Sequence, residues 1–168
     1  MKKQKIGDKE AFTKIVISYE NDLYKIARTR LQNDDDISDV FQETVISAFK
    51  SIKKLKNTEY FKTWLIRILI NNCNSLYSKK KKRKEFFLED LQEDSYRIED
   101  EFENINGELS FNDMMKILNY DERIAMTLYY SEGYTNKEIS KILRTNENTI
   151  KARISRAKLK IKKMLREC

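Results

Sequence analysis

The side chains best suited to chemistry lie near the C-terminal end of the chain. Asn148, Lys151, Ala152, Ser155 and Arg156 follow one another at spacings of three, one, three and one, so on a helix turning about 100° per residue they share one face. Amide, hydroxyl, ammonium and guanidinium groups on one helical face suit the hydrogen-bonding edges of bases in a DNA major groove. Asn146 and Thr149 stand at the N-terminal end of that helix, where recognition helices make most of their base contacts. Arg153, Lys158, Lys160 and Lys163 flank the face and suit phosphates. Leu159 is apolar on the outward side and reads as a simple exposed leucine.

Catalytic chemistry has little to work with. The chain holds no His, and Cys73 and Cys168 are its only cysteines. The carboxylates fall in helix caps, on one helix face or in an acidic stretch, so neither an acid–base pair nor a metal-binding cluster assembles. An enzyme acting on nucleic acid is the last-ranked reading, and no metal or cofactor is expected.

The reading face needs an element to aim it. Ile150, Ile154, Ala157, Ile161 and Met164 repeat at four and three and define the opposite, inward stripe. Before them, Thr135-Asn136-Lys137-Glu138 has the form of a capping box opening a short helix with Ile139, Ile142 and Leu143 inside. Arg144-Thr145 makes the turn and Asn146 caps the longer helix, a helix-turn-helix pattern. Alone it fits equally a dimeric regulator on a palindrome, but no dimer surface or ligand pocket stands out.

A second polar face precedes it. A helix beginning near Phe61 carries Trp64, Leu65, Ile68, Leu69, Cys73 and Leu76 on one side and Arg67, Asn71, Asn74 and Ser78 on another. The polar row runs into Lys79 to Lys84, six consecutive bases. Charge runs are often merely solvated, but this one continues an amide-rich face and suits nucleic acid.

Upstream, Asp8 is expected to cap one long helix ending near Asn33, with Phe12, Ile15, Val16, Tyr19, Leu23 and Ile26 at helical spacing. Asp36 is expected to cap the next, with Asp39 at its third position and Phe41, Val45, Ala48 and Ile52 as its buried stripe. Trp64, Phe12, Phe41 and Phe49 read as core, and Tyr60 and Phe61 stand at a loop–helix junction. From Phe111 a helical period runs through Met115, Leu118, Ile124, Ala125, Leu128 and Tyr129 toward Gly133.

With no Pro and three Gly in 168 residues, an all-α protein is expected. The net charge of +7 conceals a segregation of sign. Residues 85–108 hold ten acids against Arg97 alone, whereas 137–166 hold eleven bases against Glu138 and Glu147. Two small helical domains joined by an acidic linker follow, with boundaries at 1–82, 83–109 and 110–168. No apolar stretch approaches the roughly 18 residues of a membrane span, no signal peptide is visible, and the cysteine usage suits a reducing, cytoplasmic setting.

Two stretches together resemble the extracytoplasmic-function group of the sigma-70 family. The first comprises Gly7-Asp8-Lys9-Glu10-Ala11-Phe12, then Asp36-Ile37-Ser38-Asp39-Val40-Phe41-Gln42-Glu43-Thr44 and Phe61-Lys62-Thr63-Trp64-Leu65-Ile66-Arg67-Ile68. The second comprises Leu118 to Arg123, Gly133 to Ile139 and Thr149 to Ala157. The resemblance implies a sigma2-like helical bundle and a sigma4-like helix-turn-helix domain. It implies a factor that binds core RNA polymerase, recognises −35 and −10 promoter elements and promotes melting to transcribe a specific regulon, responsive to stress or the envelope. It places Asp36, Asp39, Gln42 and Glu43 against the polymerase, and Asn57, Tyr60 and Phe61 in a loop that captures a flipped base. Arg67, Asn71, Ser75, Lys79 and Lys80 then lie along the −10 strand, and the Asn148 to Arg156 face reads the −35 element. Partners implied are core polymerase, promoter DNA and an anti-sigma factor, often at the membrane. The acidic linker is open to two readings, a mimic of RNA in the polymerase channel or simple solvation. Ser75 and Ser78 stand where the family often carries Asp and Arg, Asn119 where it has Pro, and Arg144-Thr145 where it has a Gly-containing turn.

Overall fold

Asn33, Asn119, Thr135 and Asn146 decide where the chain turns, because each holds an extended or non-helical backbone and offers a side-chain oxygen to an amide of the helix that follows. The structure, a computed structural model, describes residues 9–90 and 111–167, with side chains at 85–90, 111–113 and 167 left aside. The expected Asp8 cap, the acidic stretch over 91–110 and Cys168 lie outside the described residues.

Helices α1 (Lys9–Ser18), α2 (Glu20–Arg28), α3 (Asp34–Ser51) and α4 (Phe61–Asp90) make a first bundle. Short 3-10 turns, Ile52–Lys54 and Thr58–Tyr60, join α3 to α4. The second bundle comprises α5 (Phe111–Lys116), α6 (Tyr120–Met126), a π turn (Thr127–Ser131), α7 (Asn136–Ile142) and α8 (Glu147–Glu167). No strand occurs among the described residues, as the composition predicts. Leu23, Ile26, Leu65, Ile66 and Leu69 anchor the first core, and Ile124, Leu128, Ile139 and Ile150 the second.

Four local expectations need correction. The single long first helix is two, broken at Tyr19, whose N–H bonds back only three residues to Val16 at 3.0 Å. The break seats the Tyr19 ring 6.1 Å from Phe61 while Val16 and Leu23, on either side, both stay buried. Helix α3 begins earlier than predicted: Asn33 Oδ1 accepts from Asp35 N at 2.7 Å, so Asp34, Asp35 and Asp36 fill the first turn, where carboxylates favour the helix dipole. Its buried stripe is Ile37, Val40, Thr44 and Ala48, leaving Phe41, Val45 and Ile52 half-buried and Phe49 39% exposed. Thr44 is buried because its hydroxyl donates to Val40 O at 2.7 Å and accepts from Asn72 at 3.1 Å. Finally, the run from Phe111 breaks at Asn119, which forms a full capping box with Glu122.

Candidate nucleic-acid and polymerase interfaces

The helix-turn-helix is built as its residues predict. Thr135 N donates to Glu138 Oε2 at 2.8 Å and Glu138 N to Thr135 Oγ1 at 3.3 Å, which closes the capping box. The Thr135 hydroxyl also donates to Glu138 Oε2 at 2.7 Å, and the backbone N–H first and this hydroxyl second hold the Glu138 carboxyl below its ordinary value. Arg144 takes a left-handed φ of 51° in the turn where a glycine would be unstrained. Asn146 Oδ1 then accepts from Asn148 N at 2.7 Å and α8 begins. With Ile150, Ile154 and Ala157 buried, Asn148, Lys151, Ala152, Ser155 and Arg156 all stand exposed on the opposite side. Lys151 rests 3.1 Å from Glu147 on that surface, and Thr149 is half-buried.

The flanking bases divide. Arg153 is bound to Asp121 at 2.8 Å and Lys160 to the buried Glu122 at 2.7 Å, so both brace α8 against the start of α6. Lys158 sits on the other flank, 5.9 and 5.5 Å from the rings of the exposed Tyr129 and Tyr130. Hydrogen bonding to Tyr130 raises its pKa. Leu159 is exposed, as expected.

In the first bundle, Asn57 caps the turn before α4, accepting from Glu59 N at 2.9 Å, and presents Tyr60 at 62% exposure. Phe61 instead packs inward, 6.3 Å from Phe12 and 5.8 Å from Trp64. Along α4, Asn71, Ser75 and Lys79 are exposed. Lys80 reaches across to α3 and grips both carboxylate oxygens of Asp36, so one residue expected on DNA and one expected on polymerase meet each other. Asp39, Gln42 and Glu43 remain exposed on α3, followed one turn on by the exposed Ile46 and Phe49.

The contacts that local sequence did not reveal join the two bundles. Arg67 Nη2 donates to Lys141 O at the end of α7, 2.9 Å away, and the Thr63 hydroxyl donates to Tyr134 Oη at 3.4 Å. Lys62 bridges Asp22 at 2.8 Å and Glu132 at 2.9 Å, with the Glu132 side chain 1% exposed. Burial works against the Lys62 charge, but its bonds to Asp22 and Glu132 prevail and raise its pKa. Arg30 lies between two rings, 3.8 Å from the centroid of Tyr77 and 3.9 Å from that of Tyr120. No group of three or more His, Cys, Asp or Glu that could hold a metal occurs among the described residues.

A two-bundle chain with a helix-turn-helix in its second half and a polar, basic helix in its first is the plan of a promoter-recognising factor, and the comparisons agree. Sigma-70 region 2 matches residues 15–83 and Sigma-70 region 4 matches 109–161. The chain is 30% identical to the ECF RNA polymerase sigma factor SigW of Bacillus subtilis, over 99% of this chain and 95% of that one. In fold it is similar to the sigma factor RpoE of Bartonella quintana, solved with the anti-sigma factor NepR, at TM-score 0.69, 24% identity and coverage of 94% of this chain and 98% of that one. It is likewise similar to CnrH, solved with the cytosolic domain of CnrY, at TM-score 0.67, 20% identity and coverage of 96% and 91%. The chain belongs to the extracytoplasmic-function group of the sigma-70 family, and its function is transcription initiation at recognised promoters.

Proposed function

We propose that residues 1–82 bind core RNA polymerase and the −10 element, that 83–109 link the halves, and that 110–168 bind the −35 element. Asp36, Asp39, Gln42 and Glu43 engage the polymerase. Asn57 and Tyr60 with Arg67, Asn71, Ser75, Lys79 and Lys80 follow the −10 strand, and Phe61 seats their loop against Phe12 and Trp64. Asn146, Asn148, Thr149, Lys151, Ala152, Ser155 and Arg156 face the −35 duplex, with Lys158 at its phosphates and Arg153 bracing the helix through Asp121. The observation that carries this reading is that one chain holds both a wholly exposed recognition face on α8 and an amide row on α4 continuing into six bases.

The chain supplies specificity and the polymerase the chemistry, so it is not itself an enzyme. Unstacking a promoter base costs a few kcal/mol, which a basic groove and a loop with an exposed aromatic can offset. That RpoE and CnrH are solved with protein partners supports an anti-sigma partner here. No helix among the described residues is long and apolar enough to cross a membrane, which is compatible with work in the cytoplasm and with tethering through a membrane-held partner. The regulon is expected to be a specific, stress- or envelope-responsive one.

Transcription of genomic fragments by core polymerase, with and without this chain, tests the reading. New start sites that depend on the chain are expected. Tight dimeric binding to promoter DNA without core, and no transcripts with it, would establish a self-sufficient regulator instead.

A further inference from the structure

Helix α7 ends on a left-handed residue that carries a long, charged side chain. Leu143 N donates to Ile139 O at 2.9 Å, and Thr145 N reaches back to Ser140 O, also at 2.9 Å. The second bond belongs to a helix end that reverses through one left-handed residue, here Arg144 with a φ of 51°. Glycine adopts this conformation freely and asparagine tolerates it, whereas most other side chains crowd the carbonyl that follows. Gly133, at a φ of 72°, meets the same demand with a glycine.

Arg144 is therefore a poor choice for local stability, and no tertiary contact offsets it. Its side chain is exposed, and among the described residues no hydrogen bond, ion pair or ring contact engages it. Other arginines are committed inside the molecule: Arg28 to Asp34, Arg30 between Tyr77 and Tyr120, Arg67 to Lys141 O and Arg153 to Asp121. Strain kept without local compensation marks a side chain that acts on something outside the fold.

Its place shows what that is. Arg144 stands two residues before the Asn146 cap and four before Asn148, where the reading face begins. A helix seated in a major groove about 12 Å wide has phosphate walls about 6 Å to either side, within the span of an extended arginine side chain. Because Arg144 precedes the helix, it stands outside the face that meets base edges, and the wall of the groove is what it reaches. A guanidinium matches a phosphate with two parallel N–H donors.

We propose that Arg144 is a phosphate contact of the −35 duplex, held beside the entry of α8 by the left-handed turn, and that fold stability is given up at this position in exchange for duplex affinity. This rests on the reading of α8 as the helix that enters the duplex. The contact is independent of sequence and fixes the register of the helix whose Asn148, Lys151 and Arg156 read bases.

The test measures stability and duplex affinity on the same full-length forms: unaltered, Arg144→Gly, Arg144→Asn and Arg144→Lys. Lys50→Gln, at an exposed position on α3 in the first bundle, controls for the loss of one unit of charge. Thermal unfolding reads the strain. Fluorescence anisotropy on a mixed-sequence duplex of about 20 base pairs, two turns of B-DNA, titrated across a salt series, reads the phosphate. Arg144→Gly is expected to raise the Tm, by up to about 4 °C for a chain of this length, and yet to bind duplex more weakly. Loss of one phosphate contact lowers the slope of log affinity against log salt by about 0.9, so the deficit should widen about 3.5-fold as salt falls from about 200 mM to about 50 mM. Arg144→Asn is expected to lose the same slope. Arg144→Lys keeps both charge and strain and is expected to keep slope and Tm, and Lys50→Gln is expected to keep the slope.

A merely structural residue would not move stability and affinity in opposite directions. A less stable Gly variant would show that the side chain supports the fold, and a Gly variant with unaltered affinity and salt slope would show that it meets no phosphate; either result overturns the proposal. So would an equal loss of slope in Lys50→Gln, which would reduce the effect to net charge. The transcription assay keeps the two readings apart. Chain-dependent start sites with a silent Arg144 would remove the phosphate contact alone, whereas the Arg144 pattern without start sites would leave a duplex-binding helix-turn-helix and remove its promoter role.

Discussion

Arg156 and Arg153 are three residues apart on α8 and differ in what they are free to do. Arg156 is exposed on the reading face, while Arg153 is 18% exposed and held by Asp121. Arg156→Ala is expected to weaken −35 duplex binding by about 1–3 kcal/mol, the range for one base-reading side chain, with little change in core binding. Gln42→Ala with Glu43→Ala is expected to do the reverse, because both residues stand exposed on α3 in the other bundle. Fluorescence anisotropy with duplex and with core polymerase checks the pair, and equal losses in both assays would end this division of labour. Cys73 offers a second residue-scale check. It is 2% exposed, and burial pushes its thiol up to about 12 despite the nearby Arg30. Iodoacetamide at pH 8 is accordingly expected to leave Cys73 unmodified in the folded chain and to label it after denaturation, as peptide mass spectrometry would report. The sequence spacing alone placed this cysteine correctly, since Leu69 and Leu76 at four before and three after it define an inward stripe.

At the scale of elements, the capping box fixes where α7 begins. Thr135→Ala is expected to cost about 1 kcal/mol of stability in thermal or denaturant unfolding, the usual cost of a lost N-cap. Glu138 adds a pH dependence of definite sign. Its folded pKa is lowered, so its contribution is present above the ordinary carboxylate value of 4.5 and is lost as pH falls through the lower folded value. Glu138→Gln is expected to flatten stability against pH in that acid window while leaving neutral-pH binding of duplex almost unchanged, and a pH series of unfolding curves decides it. The whole of α7, the turn and α8 was legible in sequence because caps, apolar period and turn residues agree within thirty residues. The helix ends at Tyr19, Asn33 and Asn119 were not. At Tyr19 the apolar period runs on without a break, and the interruption exists to seat the ring near Phe61, over forty residues away. At Asn33 three aspartates follow in series, and any of them is an equally good cap by type until the backbone shows which residue leaves the helix.

On the scale of the whole molecule, charge segregation pointed to two bundles, but nothing local could pair Arg67 with Lys141 or Arg30 with Tyr120, which are 74 and 90 positions apart. Such contacts depend on where two separately formed bundles meet. They also make the bundles support each other: Tyr120 belongs to the second core while its ring faces Arg30 of the first. Burial raises the Tyr120 pKa, partly offset by Arg30, so at neutral pH the ring is a neutral partner for the guanidinium. Tyr120→Leu keeps an apolar side chain in the second core but removes the ring over Arg30. A desolvated cation–π contact of this kind is worth up to about 2 kcal/mol, so amide hydrogen exchange should accelerate by a comparable free energy at Ile124 and Ala125 in α6. The decisive signal lies across the boundary. Amides of Thr29, Arg30 and Leu31 bond back to Ile26 and Ala27 within the first bundle, and a purely local defect at residue 120 would leave their exchange unchanged. Faster exchange at both places is the expected outcome if the halves stabilise one another, and acceleration confined to α6 would mean that they touch without coupling.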